Sequence, residues 1–130
     1  MNIPAGLKYT NDHEWTKVDG KRAIIGVTAF AVEQLGDITL VNVDAKVGDK
    51  IEAGKAVGTI ESVKTLSDIF APVSGKLVEV NKALADHPEL VNEDCYGKGW
   101  MVAIELDDQS AVDKLMDEKA YGEHVKASAH

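Results

Sequence analysis

Lys64 is one of thirteen lysines in this 130-residue chain, and its neighbours give it a chemistry the others lack. It sits in Glu61-Ser62-Val63-Lys64-Thr65-Leu66-Ser67-Asp68, between two short runs of β-forming residues, where the chain should reverse. A lysine at such a tip points away from any core. Its amine can be acylated by another enzyme and become the base of a tethered arm. Most lysines are solvated surface charges, and a motif this short is weak by itself. Position alone therefore leaves both readings open. The single cysteine, Cys95, excludes an internal disulfide and a Cys-based zinc site. No His lies beside it in sequence to activate it, so any thiol chemistry is expected to come from a cofactor.

The elements around Lys64 must hold a reversing chain. Trp15 to Val18 and Arg22 to Val27 flank Asp19-Gly20, a dipeptide suited to a tight hairpin. Ala29 to Leu35 reads as a short helix, with Phe30, Val32 and Leu35 apolar and Gly36 to close it. Ile38 to Val43 reads as a strand. Short runs follow at Lys50-Ile51, Ala56 to Ser62, Ser67 to Phe70 and Lys76 to Val80, punctuated by Gly54, Gly58, Pro72 and Gly75. Gly48, Gly54, Gly58 and Gly75 are expected to supply backbone conformations that a side chain disfavours. Val47-Gly48-Asp49-Lys50-Ile51 echoes Val73-Ser74-Gly75-Lys76-Leu77, with Lys64 roughly midway. Two related halves joined by a two-residue hairpin would place Lys64 at one end of a flattened barrel.

Asn81 to Glu93 reads as looser, with Asp86-His87-Pro88 as a turn, and Met101 to Leu106 as the last strand. Ser110 is the expected N-cap of a helix carrying Val112, Leu115 and Met116. A second helix is expected from Asp117 towards His124, packing through Tyr121, with Lys126 to His130 frayed. The pattern predicts an all-β fold with minor helices: one domain over residues 1–130. Its core would run over about 7–107 and its C-terminal helical segment over about 110–125.

Composition narrows the function. Apolar content of 45% and charged content of 28% are ordinary for a soluble globular domain. No apolar run reaches membrane-spanning length, and residues 1 to 6 lack a secretory pattern. From Met1 the chain reads as cytoplasmic and bacterial. A net charge of -8 argues against nucleic acid, which needs clustered Lys and Arg, and suits either solubility or basic partner surfaces.

Several strings in order resemble the H protein family of the glycine cleavage system, which are lipoyl carriers. They are Lys8-Tyr9-Thr10 with His13-Glu14-Trp15; Gly26-Val27-Thr28 with Glu33-Gln34-Leu35-Gly36-Asp37; and Glu61-Ser62-Val63-Lys64 with Ser67-Asp68 and Ala71-Pro72-Val73-Ser74-Gly75. Val80-Asn81, Pro88-Glu89-Leu90-Val91-Asn92 and Tyr96-Gly97-Lys98-Gly99-Trp100 complete the set, from about Leu7 to Tyr121. The resemblance implies a flattened barrel-sandwich of the lipoyl/biotinyl carrier type. It also implies lipoic acid in amide linkage on Lys64, and a carrier that is not itself an enzyme.

By the same resemblance the arm visits three partners. Glycine decarboxylase (P protein, pyridoxal-phosphate-dependent) loads an aminomethyl group. An aminomethyltransferase (T protein) passes on the one-carbon unit, and dihydrolipoamide dehydrogenase (L protein) restores the disulfide. A lipoate ligase or a lipoyl/octanoyl transferase would first attach the arm, with Glu61 helping it recognise the hairpin. The loaded arm would fold into a cleft lined by Glu14 and Asp68, with Asp12 assisting, because its cationic amine calls for carboxylates. Amidation removes the lysine charge, so the arm can lie on apolar surface without burying an ion. A monomer is expected, since a carrier must rotate among partners.

Trp15 and Trp100 read as packing residues and His13 as a structural hydrogen-bonder. Cys95 stands where the family commonly has proline, which should loosen that loop, and Ala29 replaces a commonly polar residue. Competing readings are a biotin carrier, which usually flanks its lysine with methionines; a 2-oxoacid dehydrogenase lipoyl domain, usually followed by a flexible linker; a lipoyl relay; and an unmodified interaction module.

Overall fold

The computed structural model describes residues 3–128. Among the described residues nine strands form two sheets. The strands are β1 (Lys8–Tyr9), β2 (Glu14–Asp19), β3 (Arg22–Val27), β4 (Ile38–Val43), β5 (Lys50–Ile51), β6 (Ala56–Ser62), β7 (Leu66–Phe70), β8 (Gly75–Val80) and β9 (Val102–Leu106). The larger sheet has the order β1-β2-β3-β9-β8-β5 and the smaller one β4-β6-β7. Among the described residues the strands of both sheets pair antiparallel. Ile25, Ile60, Ile69, Val73, Leu77 and Ile104 fill the space between them with almost no exposure. The two sheets thus make a barrel-sandwich of the lipoyl/biotinyl type, not a closed barrel. The two echoing segments pair with each other: Lys50 lies opposite Lys76 and Ile51 opposite Gly75.

Helix α1 (Ala29–Leu35) bridges the sheets for local reasons. Thr28 caps its start, its hydroxyl accepting the Ala31 N–H at 3.3 Å. Gly36 ends it at φ +79°, its N–H donating to Val32 O at 2.9 Å. Leu35 enters the main core, whereas Phe30 joins a second cluster with Tyr9, Trp15, Tyr121 and Val125.

Several expectations need correction. The hairpin turn holds three residues, Val63 to Thr65, not two, because Ser62 closes β6 and Leu66 opens β7. Lys8-Tyr9, for which the sequence pattern predicts no strand, forms β1, which pairs with β2 and bridges Met116. Asn81 to Glu93 contains two helical turns, α2 (Ala83–Asp86) and α3 (Leu90–Glu93). Gln109–Lys114 is a 3-10 helix capped by Asp108, whose carboxylate accepts the Ser110 N–H at 2.9 Å; Ser110 is not the cap. The last helix, α4 (Glu118–Ser128), runs further than expected, so Lys126 to Ser128 are helical, while residues 129 and 130 lie outside the described range. Gly58 and Gly75 are glycines for lack of room rather than for φ: a Cβ would strike the carbonyl oxygens of Asn42 and Glu105.

Candidate functional site

Lys64 occupies the turn between β6 and β7 and is exposed. The turn is built by Ser62. Its hydroxyl oxygen accepts the N–H groups of Lys64 and Thr65, both at 3.2 Å, and its own N–H donates to Thr65 O at 2.8 Å. A short hydroxyl that bonds backbone two and three residues on is a local turn former. Lys64 takes no part in the ion pairs found among the described residues.

The turn is then fixed to the body of the protein. Val63 N–H donates to Asp37 O at 3.1 Å. Asp37 is bracketed by Asn92 from α3: the side-chain oxygen accepts the Ile38 N–H and the side-chain amide donates to Gly36 O, both at 2.9 Å. The lysine stem passes over Gly36, where an added Cβ would lie in ordinary contact, 3.4 Å from Lys64 Cε, so the glycine answers to its φ of +79° and not to crowding by the lysine. Three segments distant in sequence therefore set where Lys64 starts.

Beside the turn lies a cleft of about 130 Å³. Val27, Leu35 and Ile60 give it an apolar floor, and Asp12, Glu14 and Asp68 bring three carboxylates to its lining. Asp12 and Asp68 are exposed, while Glu14 is only 2% exposed. Glu61 does not join them; it lies on β6, exposed, paired with Leu40 and Leu66. Helix α1 connects cleft and lysine, because Leu35 lines the first and the next residue, Gly36, supports the second.

Glu14 is buried for a structural reason. Its Oε2 accepts the Phe70 N–H at 3.3 Å, satisfying an edge group of β7 from a strand of the other sheet. Its Oε1 accepts the Thr10 hydroxyl at 2.6 Å. Burial pushes the carboxyl up to about 7, against the pull of these two hydrogen bonds. Glu14 and Asp12 also border a second cavity of about 270 Å³ reaching Phe70, Pro72 and Lys114.

His13, on the cleft wall, has φ +69°, a region that costs a non-glycine residue about 1 kcal/mol and is held by its surroundings. Tyr121 Oη lies 2.8 Å from His13 Nδ1 and 2.7 Å from Thr28 Oγ1, and the Thr28 N–H donates to His13 O at 3.0 Å. The tyrosine ring stacks on Tyr9 at 4.6 Å. Burial, then nearby His124, holds the His13 imidazole below its usual range. Trp15 packs in the second cluster and donates from Nε1 to Cys95 O at 2.8 Å, tying down the loop that cysteine was expected to loosen. Burial raises the Cys95 thiol to about 11, which suits an inert side chain.

The sequence did not assign roles to Asn92, Thr10 or Tyr121 at this site. Asn92 closes one of the ordered strings, but nothing local says what its amide holds. Among the described residues there is no cluster of metal ligands and no helix long and apolar enough to cross a membrane.

A lysine on an anchored turn of a two-sheet sandwich defines a hairpin-lysine carrier, a class that presents an amine for modification and performs no catalysis itself. The profile of the glycine cleavage H-protein family matches residues 7–128. A glycine cleavage system H protein of Bacteroides thetaiotaomicron is 51% identical over 121 residues, covering 93% of this chain and 95% of its own. That of Carboxydothermus hydrogenoformans is 50% identical over 119 residues, with 92% and 91% covered. The crystal structure of a glycine cleavage system H protein from Mycobacterium marinum superposes with a TM-score of 0.84 at 36% identity, covering 98% of this chain and all of that one. The chain belongs to the glycine cleavage H-protein family. Members of this family carry lipoic acid and are carriers, not enzymes.

Proposed function

We propose that this chain shuttles the aminomethyl group of glycine on a lipoyl arm in amide linkage to Lys64. The observation that carries this reading is an exposed lysine on an anchored turn, its stem over Gly36, the residue that follows Leu35 in the lining of an acid-lined cleft. The residues fit the group: the amine is accessible, its stem rests over Gly36, and an apolar floor lies beside it. In attachment, the Nζ lone pair attacks the carbonyl of an activated acyl group. The new N–C bond forms as the activating group departs and the amine loses a proton. When bound, the lipoyl group supplies a disulfide that can be opened and re-formed.

The protein's own part is to position and shield. Glu14, Asp68 and Asp12 offer carboxylates to a cationic amine cargo, in a site that removes it from water. Glu14 is the most effective of the three when ionised, because it is the most buried. Glu61 stands on the hairpin, where the attaching enzyme, a lipoate ligase or a lipoyl/octanoyl transferase, can read it. The P, T and L proteins of the glycine cleavage system are the partners of the loaded, unloading and reoxidised arm. The same reading has the chain act as a monomeric single domain in a bacterial cytoplasm, free to leave one partner for the next.

Intact mass and peptide mapping of protein from its native host test the attachment: a lipoyl increment on Lys64 is expected, and a bare lysine under lipoate-replete conditions contradicts it. Reconstitution with the three partner enzymes tests the shuttle, and lipoyl transfer to other carriers without glycine turnover would favour the relay instead.

A further inference from the structure

Five large apolar side chains are well exposed among the described residues, and three of them belong to the neighbourhood of Lys64: Leu40, Val63 and Leu66, at 46%, 67% and 63% exposure. Val63 is in the turn itself. The other two are placed by register. Leu40 pairs with Glu61, and Glu61 pairs with Leu66, so the three form one row across β4, β6 and β7. Directly paired residues share a sheet face, and successive residues alternate. Ile60, one residue from Glu61, is buried, so this row lies on the outer face of the small sheet.

Leu40 reaches that face through a backbone irregularity. Ile38 pairs with Ser62 and Leu40 with Glu61, so Thr39 is an extra residue in β4. In regular pairing from Ile38 onward, Thr39 would take the place opposite Glu61, and Leu40 would fall opposite Ile60 and point inward. A one-residue slip exchanges the faces, and bulges commonly re-aim a side chain in this way. The Thr39 hydroxyl fastens the bulge by donating to Glu61 O at 3.1 Å. A core-type side chain has been turned out into water next to the lysine, beside a carboxylate.

Resting on the proposed attachment at Lys64, we propose that the Leu40–Glu61–Leu66 row, with Val63, is the docking surface of the enzyme that acylates Lys64. That enzyme is inferred to present an apolar patch carrying a cationic side chain opposite Glu61. The charge fits, since Glu61, at the centre of the row, is an acid on a chain of net charge -8. The position fits as well, because the row runs alongside the turn it serves and leaves the cleft on the inner side uncovered. Burying two leucines around a paired charge gives the apolar centre that strong contacts require.

The test measures acylation of the whole protein by a lipoate–protein ligase supplied with lipoic acid and ATP. Leu40→Ser and Leu66→Ser are each expected to raise the KM for the carrier about tenfold, and Glu61→Gln by a similar factor. Acetylation of Lys64 by a small N-hydroxysuccinimide ester should stay at the parent rate in both leucine variants. An unchanged KM in the Leu40→Ser/Leu66→Ser double variant overturns the proposal, as does an equal loss with the small ester. An effect confined to coupling with glycine decarboxylase would hand the face to that enzyme and overturn the occupant named here. A parent chain that the ligase does not acylate at all would instead defeat the attachment reading itself.

Discussion

The two faces of the β6–β7 hairpin carry similar aliphatic side chains and meet opposite surroundings. On the inner face Ile60 and Ile69 are 1% and 2% exposed, packed in the main core. On the outer face Leu66, with Leu40 beside it, stands in water around Glu61. Residue type therefore does not say what either face is for. What covers it does. The inner face joins the core and borders a cleft with three carboxylates, while the outer face leaves apolar surface free beside the turn that carries Lys64. Storage and recognition can thus be separated on a single pair of strands.

The largest effect silences both faces together. Lys64→Arg is expected to abolish lipoylation and glycine turnover while the fold, monitored by circular dichroism, stays intact; residual turnover would contradict the attachment site. Next comes the anchor that both faces share. Asn92→Ala removes both hydrogen bonds that bracket Asp37, and hydrogen exchange at the Val63 amide should quicken by about tenfold or more, for the loss of about 1–2 kcal/mol of local support. Asn92→Asp keeps an acceptor for the Ile38 N–H but no donor for Gly36 O, and should fall between. Equal acceleration at amides far from the turn would mean that the whole fold, not the anchor, had loosened.

Glu14→Gln should act on the inner face alone. The loaded arm is expected to decay several-fold faster at pH 8, with ligase acylation unchanged. In the parent protein the protection should grow as pH rises through about 7, where Glu14 ionises, and the variant should show no such rise. Stability runs the other way. A carboxyl raised in the fold binds its proton more tightly there than in the unfolded chain. Its contribution is present below the unfolded value of about 4.5 and is lost as pH rises through about 7. The parent should therefore lose up to about 3 kcal/mol relative to Glu14→Gln across that window, read by urea unfolding. The smallest effect is expected from Tyr121→Phe, which leaves His13 and Thr28 without a shared hydroxyl. It should cost about 1 kcal/mol and shorten the loaded arm's lifetime only slightly, with no change in acylation.

Much of the frame was legible in the chain because it rests on local pattern. Arg22 to Val27, Ala29 to Leu35, Ile38 to Val43 and Ala56 to Ser62 carry their own alternation, caps and glycines, and each forms the element expected. Lys8-Tyr9 is too short to show a period, and it becomes a strand only because β2 and Met116 offer partners. The bulge at Thr39 was invisible for a related reason: Ile-Thr-Leu-Val-Asn-Val reads as an uninterrupted strand, and the extra residue exists only relative to β6. Lys64 could be singled out by its turn and by the ordered strings around it. That Asp12, Glu14 and Asp68 border one cleft could not be read from spacing, since fifty-four residues separate the last two. The resemblance grouped them, and the burial of Glu14 came into view only with the edge of β7 packed against it.

The Asn92 bracket has a consequence for the order of events in the life of the chain. The residues around Lys64 are all present once synthesis has passed β7, yet the turn's hold on Asp37 waits for a side chain that emerges some two dozen residues later. A half-made or unravelled molecule displays the same string of amino acids on an unmoored loop. Fitness for modification belongs to the completed fold, so an attaching enzyme that reads the geometry of the turn also inspects whether the carrier is finished.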